Sequence, residues 1–195
     1  MFQSSSSKTA IRLTLILLLQ CMFSLGQITS FPYLEDFTTP PANWTVTTLS
    51  GTAWEFGVPT APGTIGAYSS PTCYGTDPDS GYRANTTSYL TSPRFDISTL
   101  TNPLFSFYQF RYLSVGLDGM HVEYSTDDIT WLRLGTVNSA SGFNWYNTSS
   151  IVATGLPAFT GNSVTWLQSG YYLNGLTTGL IRLRCVFRAN IRVGS

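Results

Sequence analysis

Apolar and polar residues alternate along the middle of the chain. In the segment 118–135 (DGMHVEYSTDDITWLRLG), Met120, Val122 and Tyr124 are each followed by a polar residue. A period of two is typical of a half-buried β-strand. The cluster 125–128 (STDD) predicts a turn, because Ser, Thr and Asp side chains bond to their own backbone. The segment is therefore predicted to form a β-hairpin.

Short strand-like runs separated by polar turns occupy the rest of the chain, and none of it after residue 26 shows helical periodicity. The turns TAPGTIG, GTDPDSGY, STLTNP and VNSASG are rich in Gly, Pro, Asn, Asp and Ser. Internal repeats and linkers are absent, so the pattern predicts one all-β sandwich. The predicted strands are 43–49, 53–56, 89–90, 104–112, 120–125, 131–135, 164–173 and 180–188.

The first 26 residues are predicted to be a Sec-type signal peptide. Lys8 and Arg12 supply a positive start, and the apolar run 13–25 is too short to span a bilayer comfortably. Cys21 offers the alternative of a lipid anchor, but the glutamine before it is poorly suited to that modification. We expect residues 27–195 to be secreted or displayed at the cell surface, with no membrane span after cleavage.

The charge composition excludes one class of partner. The chain has ten Lys and Arg residues against ten Asp and Glu residues. Lys8 and Arg12 fall in the signal peptide, so what remains contains arginine but no lysine and is slightly acidic. Nucleic-acid binding needs a basic surface, so that class of partner is excluded. Few charges among many Thr, Ser, Asn, Gly and aromatic residues favour an exported β-domain.

Two cysteines, Cys73 and Cys185, follow the signal peptide. In the segment IRLRCVF, Cys185 shares a face with Leu183 and Phe187, opposite the arginines. It is interpreted as a buried thiol that acts as a small hydrophobe. A bridge to Cys73 and a reactive thiol are the alternatives.

The order of landmarks along the chain resembles a known family. They are FPYLEDF at 31–37, NWT at 43–45, WEFGVP at 54–59, YLTSPRFDIS at 89–98, NP at 102–103, FSF at 105–107, the hairpin, NWYN at 144–147, Trp166 and RCVF at 184–187. With this order, the chain resembles the MAM-like jelly-roll domain of secreted Bacteroidetes proteins, which is related to the cleaved-adhesin domains of gingipain-type proteins. The resemblance covers nearly all of residues 27–195.

The resemblance implies a two-sheet antiparallel jelly-roll sandwich used for adhesion or recognition, often beside peptidase or other catalytic domains. It also implies a structural calcium ion, held by acidic residues near the start and by two aspartates in the closing strand. Glu35 and Asp36 match the early half of that site. Residues 188–195 (RANIRVGS) stand where the family has a glycine-rich turn and the closing strand, so the closing strand of the domain 27–195 is expected to be missing.

A second candidate calcium site lies in the segment 77–81 (DPDSG). Asp77 and Asp79 place two carboxylates on one tight loop ahead of a glycine. The distant bidentate Glu that makes calcium loops specific is absent, and turn chemistry explains the pattern as well.

Enzymatic motifs are absent from the chain. His121 is the one histidine, and Glu123 lies on the same face of its predicted strand. A nucleophile elbow, an HExxH motif and zinc-type Cys/His spacing are all lacking. The pair is interpreted as a solvated polar strand face, and Asp118, Asp127 and Asp128 as turn residues. The chain is predicted not to be an enzyme.

Aromatic residues give the candidate ligand face. Phe105 and Phe107 are predicted to lie in the core, because each strand of a two-layer sandwich buries one face. Tyr108, Phe110 and Tyr112 point the other way in the predicted strand. The five candidate ligand-face residues are Tyr108, Phe110, Tyr112, Trp145 and Tyr146.

Four arginines lie in the segment 181–193, at positions 182, 184, 188 and 192. They are interpreted as a solvated stripe that pairs with acids on the neighbouring strand, with an anionic-glycan surface as the alternative. We expect a secreted, non-catalytic recognition or adhesion module that binds protein or glycan. The alternative hypotheses are a carbohydrate-binding module and a fragment of a larger exported hydrolase or peptidase.

Overall fold

The computed structural model describes residues 26–176 and 179–191, and within them it contains strands and no helix. The prediction of an all-β protein is confirmed. The strands are β1 (Gln27–Ile28), β2 (Thr45–Ser50), β3 (Trp54–Gly57), β4 (Cys73–Thr76), β5 (Thr87–Thr91), β6 (Arg94–Asp96), β7 (Leu104–Gln109), β8 (Gly119–Ser125), β9 (Leu132–Arg133), β10 (Gly142–Phe143), β11 (Leu167–Tyr172) and β12 (Leu180–Arg188).

The largest sheet has seven strands arranged around β12. This strand pairs with β5 and β6 along one side and with β8 along the other. Strand β2 extends the sheet beyond β5, and β9 extends it beyond β8. The short β1 pairs with β6 in parallel, so the predicted antiparallel arrangement fails at this edge. The other sheets, β10–β11–β7 and β3–β4, are antiparallel.

The core lies between the seven-stranded and the three-stranded sheet. Cross-strand register places Val122 and Cys185 on the inner face of the large sheet. Phe105, Phe107 and Tyr171 of the smaller sheet are packed against the same core cluster. The architecture is therefore sandwich-like, and the predicted inward positions of Phe105 and Phe107 are confirmed. Burial of these apolar faces supplies most of the driving force for folding.

Trp145 and Tyr146, predicted to be ligand-face residues, lie in this core instead. They are 5% and 4% exposed and contact the fully buried Phe159, with ring centroids 5.5 and 4.9 Å away. The Trp145 indole donates to the Leu134 carbonyl at 3.0 Å. The Tyr146 hydroxyl accepts from the Val122 amide at 3.0 Å. The prediction that these two residues form a ligand surface was wrong, because both side chains are buried. Their polar atoms hold a loop on the large sheet instead.

Several boundaries differ from the sequence prediction. Strands β1, β4, β6 and β10 were not predicted, because two to four residues are too few to display a period. Strand β7 ends at Gln109 rather than at residue 112. Beyond it, the Arg111 amide donates to the Ser163 side chain at 2.9 Å, and a single bridge joins Tyr112 to Asn162. Regular strand pairing therefore stops at Gln109.

The two cysteines are both free, on β4 and on β12. The alternative of a disulfide between them is therefore wrong. Burial raises the pKa of the Cys185 thiol to about 12, which agrees with the interpretation of a buried hydrophobe. Residues 1–25 of the predicted signal peptide, Arg192 and the rest of 192–195 lie outside the described residues.

Candidate functional site

The outer face of the three-stranded sheet carries no charged side chain. On β7, the residues Leu104, Ser106 and Tyr108 alternate with the inward Phe105 and Phe107. On β11 and β10, their register partners on the same face are Gln168, Gly170, Tyr172 and Phe143. This set, with Tyr68 added, is called the aromatic face below.

Exposed aromatic side chains are concentrated on this one side of the protein. Within residues 26–176 and 179–191, five aromatic residues are exposed. Four of them belong to the aromatic face, Tyr68, Tyr108, Phe143 and Tyr172, and the fifth, Tyr112, lies beyond the end of β7. A large exposed apolar patch on a soluble domain is uncommon and marks an interaction site. Sequence reasoning found two of them, Tyr108 and Tyr112.

Tyr68 joins the face from a distant loop. Its ring stacks on that of Tyr108, with centroids 3.7 Å apart and planes 13° from parallel. Trp166 lies edge-on to Tyr68 at 6.2 Å and donates its indole N–H to the Gly66 carbonyl at 3.1 Å. The loop is therefore held on the sheet by aromatic contacts, yet Tyr68 remains 52% exposed.

Phe143 reaches the face because residue 170 is a glycine. A Cβ at Gly170 would come 2.3 Å from the Phe143 ring, far inside van der Waals contact. The ring occupies the space that a side chain on β11 would fill. Any larger residue at this position would displace Phe143.

A cleft of about 550 Å³ opens beside the aromatic face. Its walls come from the segments 59–66, 73–82 and 110–114, together with Asn162 and Trp166. The volume lies in the range of small-molecule sites, about 300–1,000 Å³. Phe110 and Tyr112, both predicted to be ligand-face residues, line this cleft.

Tyr82 and Ser114, in the wall of the cleft, are fixed by a buried carboxylate. The Tyr82 hydroxyl donates to Asp118 Oδ2 at 2.9 Å and accepts from the Ser114 amide at 3.0 Å. Asp118 Oδ1 accepts from the Asn190 amide at 2.7 Å. The Asp118 amide donates to the Ser114 carbonyl at 3.2 Å, which agrees with its interpretation as a turn residue, but its side chain is also buried, with the residue only 4% exposed. It ties the cleft to the end of β12.

Asp77 and Asp79 lie at the mouth of this region. Asp77 lines the cleft, and its Oδ1 accepts from the Ser80 hydroxyl at 2.6 Å and from the Ser80 amide at 3.2 Å. The Ser80 hydroxyl is the main reason that the pKa of Asp77 is lowered. Asp79 is exposed. The Asp77 carboxylate is thus engaged in the turn chemistry that the sequence offered as an alternative to calcium.

Glu35 and Asp36 do not fit the calcium site that the resemblance implies. Glu35 Oε1 accepts from the Phe37 amide at 3.1 Å, and Asp36 Oδ1 accepts from the Thr38 amide at 3.0 Å. Calcium requires six to eight oxygen ligands. In the described part of the chain, no group of three or more His, Cys, Asp or Glu residues is arranged to hold a metal ion. Both carboxylates cap local turns instead.

The outer face of the seven-stranded sheet is charged, in contrast to the aromatic face. Glu123 Oε2 accepts from Arg184 Nε at 2.8 Å and from Nη2 at 2.5 Å. The Arg184 guanidinium also lies between two rings, 4.1 Å from the centroid of Trp131 and 4.4 Å from that of Tyr89. The predicted pairing of these arginines with acids on the neighbouring strand is confirmed for Arg184.

His121 belongs to this cluster and is not solvated. It is 2% exposed, and its Nε2 lies 2.9 Å from Glu123 Oε1. Its interpretation as a solvated histidine was wrong, because it is buried. Burial lowers the pKa of His121, and the nearby Arg133 and Arg188 lower it further, against the opposing effect of Glu123. Burial raises the pKa of Glu123, but His121 and Arg184 outweigh it and hold the pKa at about 2.

These shifts predict a loss of stability in mild acid. The folded pKa of His121 lies below its ordinary 6.5, so below that pH the unfolded chain takes up a proton that the folded chain does not. Stability should therefore fall by at most about 2 kcal/mol between pH 6.5 and 5. Protonation of Glu123 lowers stability only between its ordinary pKa of 4.5 and its folded pKa of about 2.

Denaturant melts at pH 7 and pH 5 test this expectation with His121→Gln, which keeps a side-chain N–H for Glu123. The difference in unfolding free energy between the two pH values should be smaller in the variant than in the wild type. Equal differences would show that other groups set the acid response.

Comparisons with known protein families, curated proteins and solved structures give no match to this chain. Over the residues that the structure describes, no helix is long and apolar enough to cross a membrane. The two sheet faces and the cleft are therefore the features that bear on the function.

Proposed function

We propose that this chain is a secreted, non-catalytic recognition module of the MAM-like jelly-roll type, and that it binds a glycan on its aromatic face. The proposal is supported by one observation above all, the gathering of four of the five exposed aromatic side chains on the uncharged outer face of the three-stranded sheet, with the fifth in the adjoining cleft. Adhesion to a glycan-coated surface is the biological role that such a module would serve.

Sugars suit this surface for a physical reason. One side of a pyranose ring presents C–H groups of slight positive charge, and the π-face of an aromatic ring is slightly negative. Tyrosine and phenylalanine offer this area at a low cost in conformational entropy. Gln168 and Ser106, on the same outer face, supply polar groups for sugar hydroxyls.

The position of the histidine supports a non-catalytic role. His121 is buried on the outer face of the seven-stranded sheet and is held by Glu123. The cleft lies beside the other sheet. A general base must reach the proton that it removes, and His121 faces a different side of the protein.

Replacing Tyr108 with alanine should weaken glycan binding about ten-fold, which corresponds to 1.4 kcal/mol. The change removes one stacking ring and leaves Tyr68 without its partner. Affinity electrophoresis against cellulose, xylan, mannan, β-1,3-glucan and chitin identifies the bound glycan, and calorimetry measures the change.

Ile129→Ala is the matched control, because Ile129 is 84% exposed on the hairpin turn of the other sheet. It should leave affinity unchanged, and thermal melts should show both variants folded. Binding that survives Tyr108→Ala at full strength would overturn the aromatic face as the site. The absence of binding to every glycan, with capture of a matrix protein instead, would replace the glycan with a protein ligand.

A further inference from the structure

We propose that the cleft holds further sugar units of the chain bound on the aromatic face, so that the ligand is an uncharged oligosaccharide of several units running from the face into the cleft. This inference rests on the proposed function and specifies the class of glycan. The continuity, chemistry, charge and length of the combined surface support this inference.

The cleft and the face share aromatic side chains. Trp166 lines the cleft and contacts Tyr68, which stacks on Tyr108. Phe110, also in the cleft wall, lies 5.9 Å from Trp166 between ring centroids. Contacts between aromatic rings therefore link the two sites, so a bound chain can pass from one to the other.

The cleft combines ring surface with small polar groups. Tyr112 and Trp166 offer aromatic area, while Thr64, Thr76 and Asn162 bring hydroxyl and amide groups to the same walls. The Thr64 hydroxyl already donates to the Ala61 carbonyl, and Asn162 Oδ1 accepts from the Leu113 amide, so the Asn162 N–H groups and the Thr76 hydroxyl are the polar groups offered to a ligand. Sugar units, which have an apolar ring side and a hydroxyl edge, satisfy both kinds of surface.

Charge selects an uncharged ligand. Asp77 is the one charged residue among those that line the cleft, and the outer face of the sheet has none. A uronate or sulfate group would meet a carboxylate with no arginine to offset it. Arg94, Arg182 and Arg184 lie on the seven-stranded sheet, where each pairs with Asp128 or Glu123. An anionic glycan therefore has no counter-charge on the aromatic side.

The combined surface is long. Tyr172 is the register partner of Leu104, four residues from Tyr108 along β7, which corresponds to about 13 Å of extended chain. Tyr112 lies four residues beyond Tyr108 in the sequence, past the end of β7, which adds at most about 13 Å. A ligand that touches both ends must contain several sugar units, and its affinity should rise with each unit until both ends are covered.

The test compares alanine variants at the two ends of this surface. Oligosaccharides of two and six units, from β-1,4-glucan, xylan, mannan and β-1,3-glucan, are titrated into wild type, Tyr112→Ala and Tyr172→Ala. The best six-unit ligand should bind wild type at least ten-fold more tightly than its two-unit counterpart. Each variant should lose about ten-fold for six units, and only one of them should lose affinity for two units. Six-unit oligogalacturonate should bind at least ten-fold more weakly.

Each result decides between the proposals. If Tyr108→Ala abolishes six-unit binding and Tyr112→Ala does not change it, the face stands and the cleft proposal is wrong. If Tyr112→Ala abolishes binding and Tyr108→Ala is silent, the cleft is a separate site and the proposed face fails. Equal affinity for oligogalacturonate would overturn the uncharged ligand. If Tyr112→Ala is unfolded, Trp166→Phe replaces it in the test. Loss of the ligand-induced fluorescence change in Trp166→Phe, with the change retained in Trp131→Phe, supports the cleft.

Discussion

Replacing Glu123 with alanine should lower the unfolding free energy by about 3 kcal/mol. The side chain is 17% exposed and bridges His121 to Arg184, whose side chains are 3% and 19% exposed. The change leaves a guanidinium and an imidazole in a shielded place without their acceptor, which is costlier than losing the attraction itself. The melting temperature should fall by on the order of 10 °C.

Glu55→Ala is the matched control, because Glu55 is exposed on β3. It should change stability by less than about 0.5 kcal/mol. A double-mutant cycle with Arg184→Ala separates pairing from packing, since Arg184 also lies between Trp131 and Tyr89. The loss from Arg184→Ala should be smaller in the Glu123→Ala background. Additive losses would show that the ion pair contributes nothing beyond the two side chains.

Local alternation was enough to predict the strands but not this cluster. Met120 and Val122 were correctly separated from His121 and Glu123, because a period of two assigns residues to opposite faces. The period of two does not predict how far the polar face is exposed to water. The charges that influence His121 and Glu123 come from other strands, Arg133 on β9 and Arg184 and Arg188 on β12. Burial of a polar face by neighbouring strands is a tertiary feature with no local signal.

The aromatic residues show the same limit from the other side. Parity along β7 correctly placed Tyr108 outside and Phe107 inside. Trp145 and Tyr146 lie in a loop with left-handed backbone at Tyr146, φ 26°, where no parity rule applies, and both rings reach the core. Tyr68 was missed because it lies just after the turn TAPGTIG, and only its stacking partner reveals its role. Three segments that are distant in sequence form most of the cleft, so no local sequence pattern predicts it.

Replacing Asp118 with alanine should destabilise the protein by about 3 kcal/mol. The buried carboxylate accepts from the Tyr82 hydroxyl and the Asn190 amide, and its loss removes both bonds, leaving the Tyr82 hydroxyl only the Ser114 hydroxyl at 3.5 Å. The loss also frees Tyr82, which lines the cleft. Ligand affinity should therefore fall together with stability.

Two milder variants separate the stability effect from the ligand effect. Asp118→Asn keeps a carbonyl oxygen for one of the two donors, so we expect about half the loss in unfolding free energy. Tyr82→Phe removes the hydroxyl that bonds to Asp118 and accepts from the Ser114 amide, while it keeps the ring in the cleft wall. It should cost about 1 kcal/mol and weaken six-unit binding without reaching the loss from Tyr112→Ala. If Asp118→Ala melts like the wild type, the carboxylate is not the tie between the cleft and the end of β12. If the variant is destabilised but binds normally, the cleft wall holds its shape without Asp118.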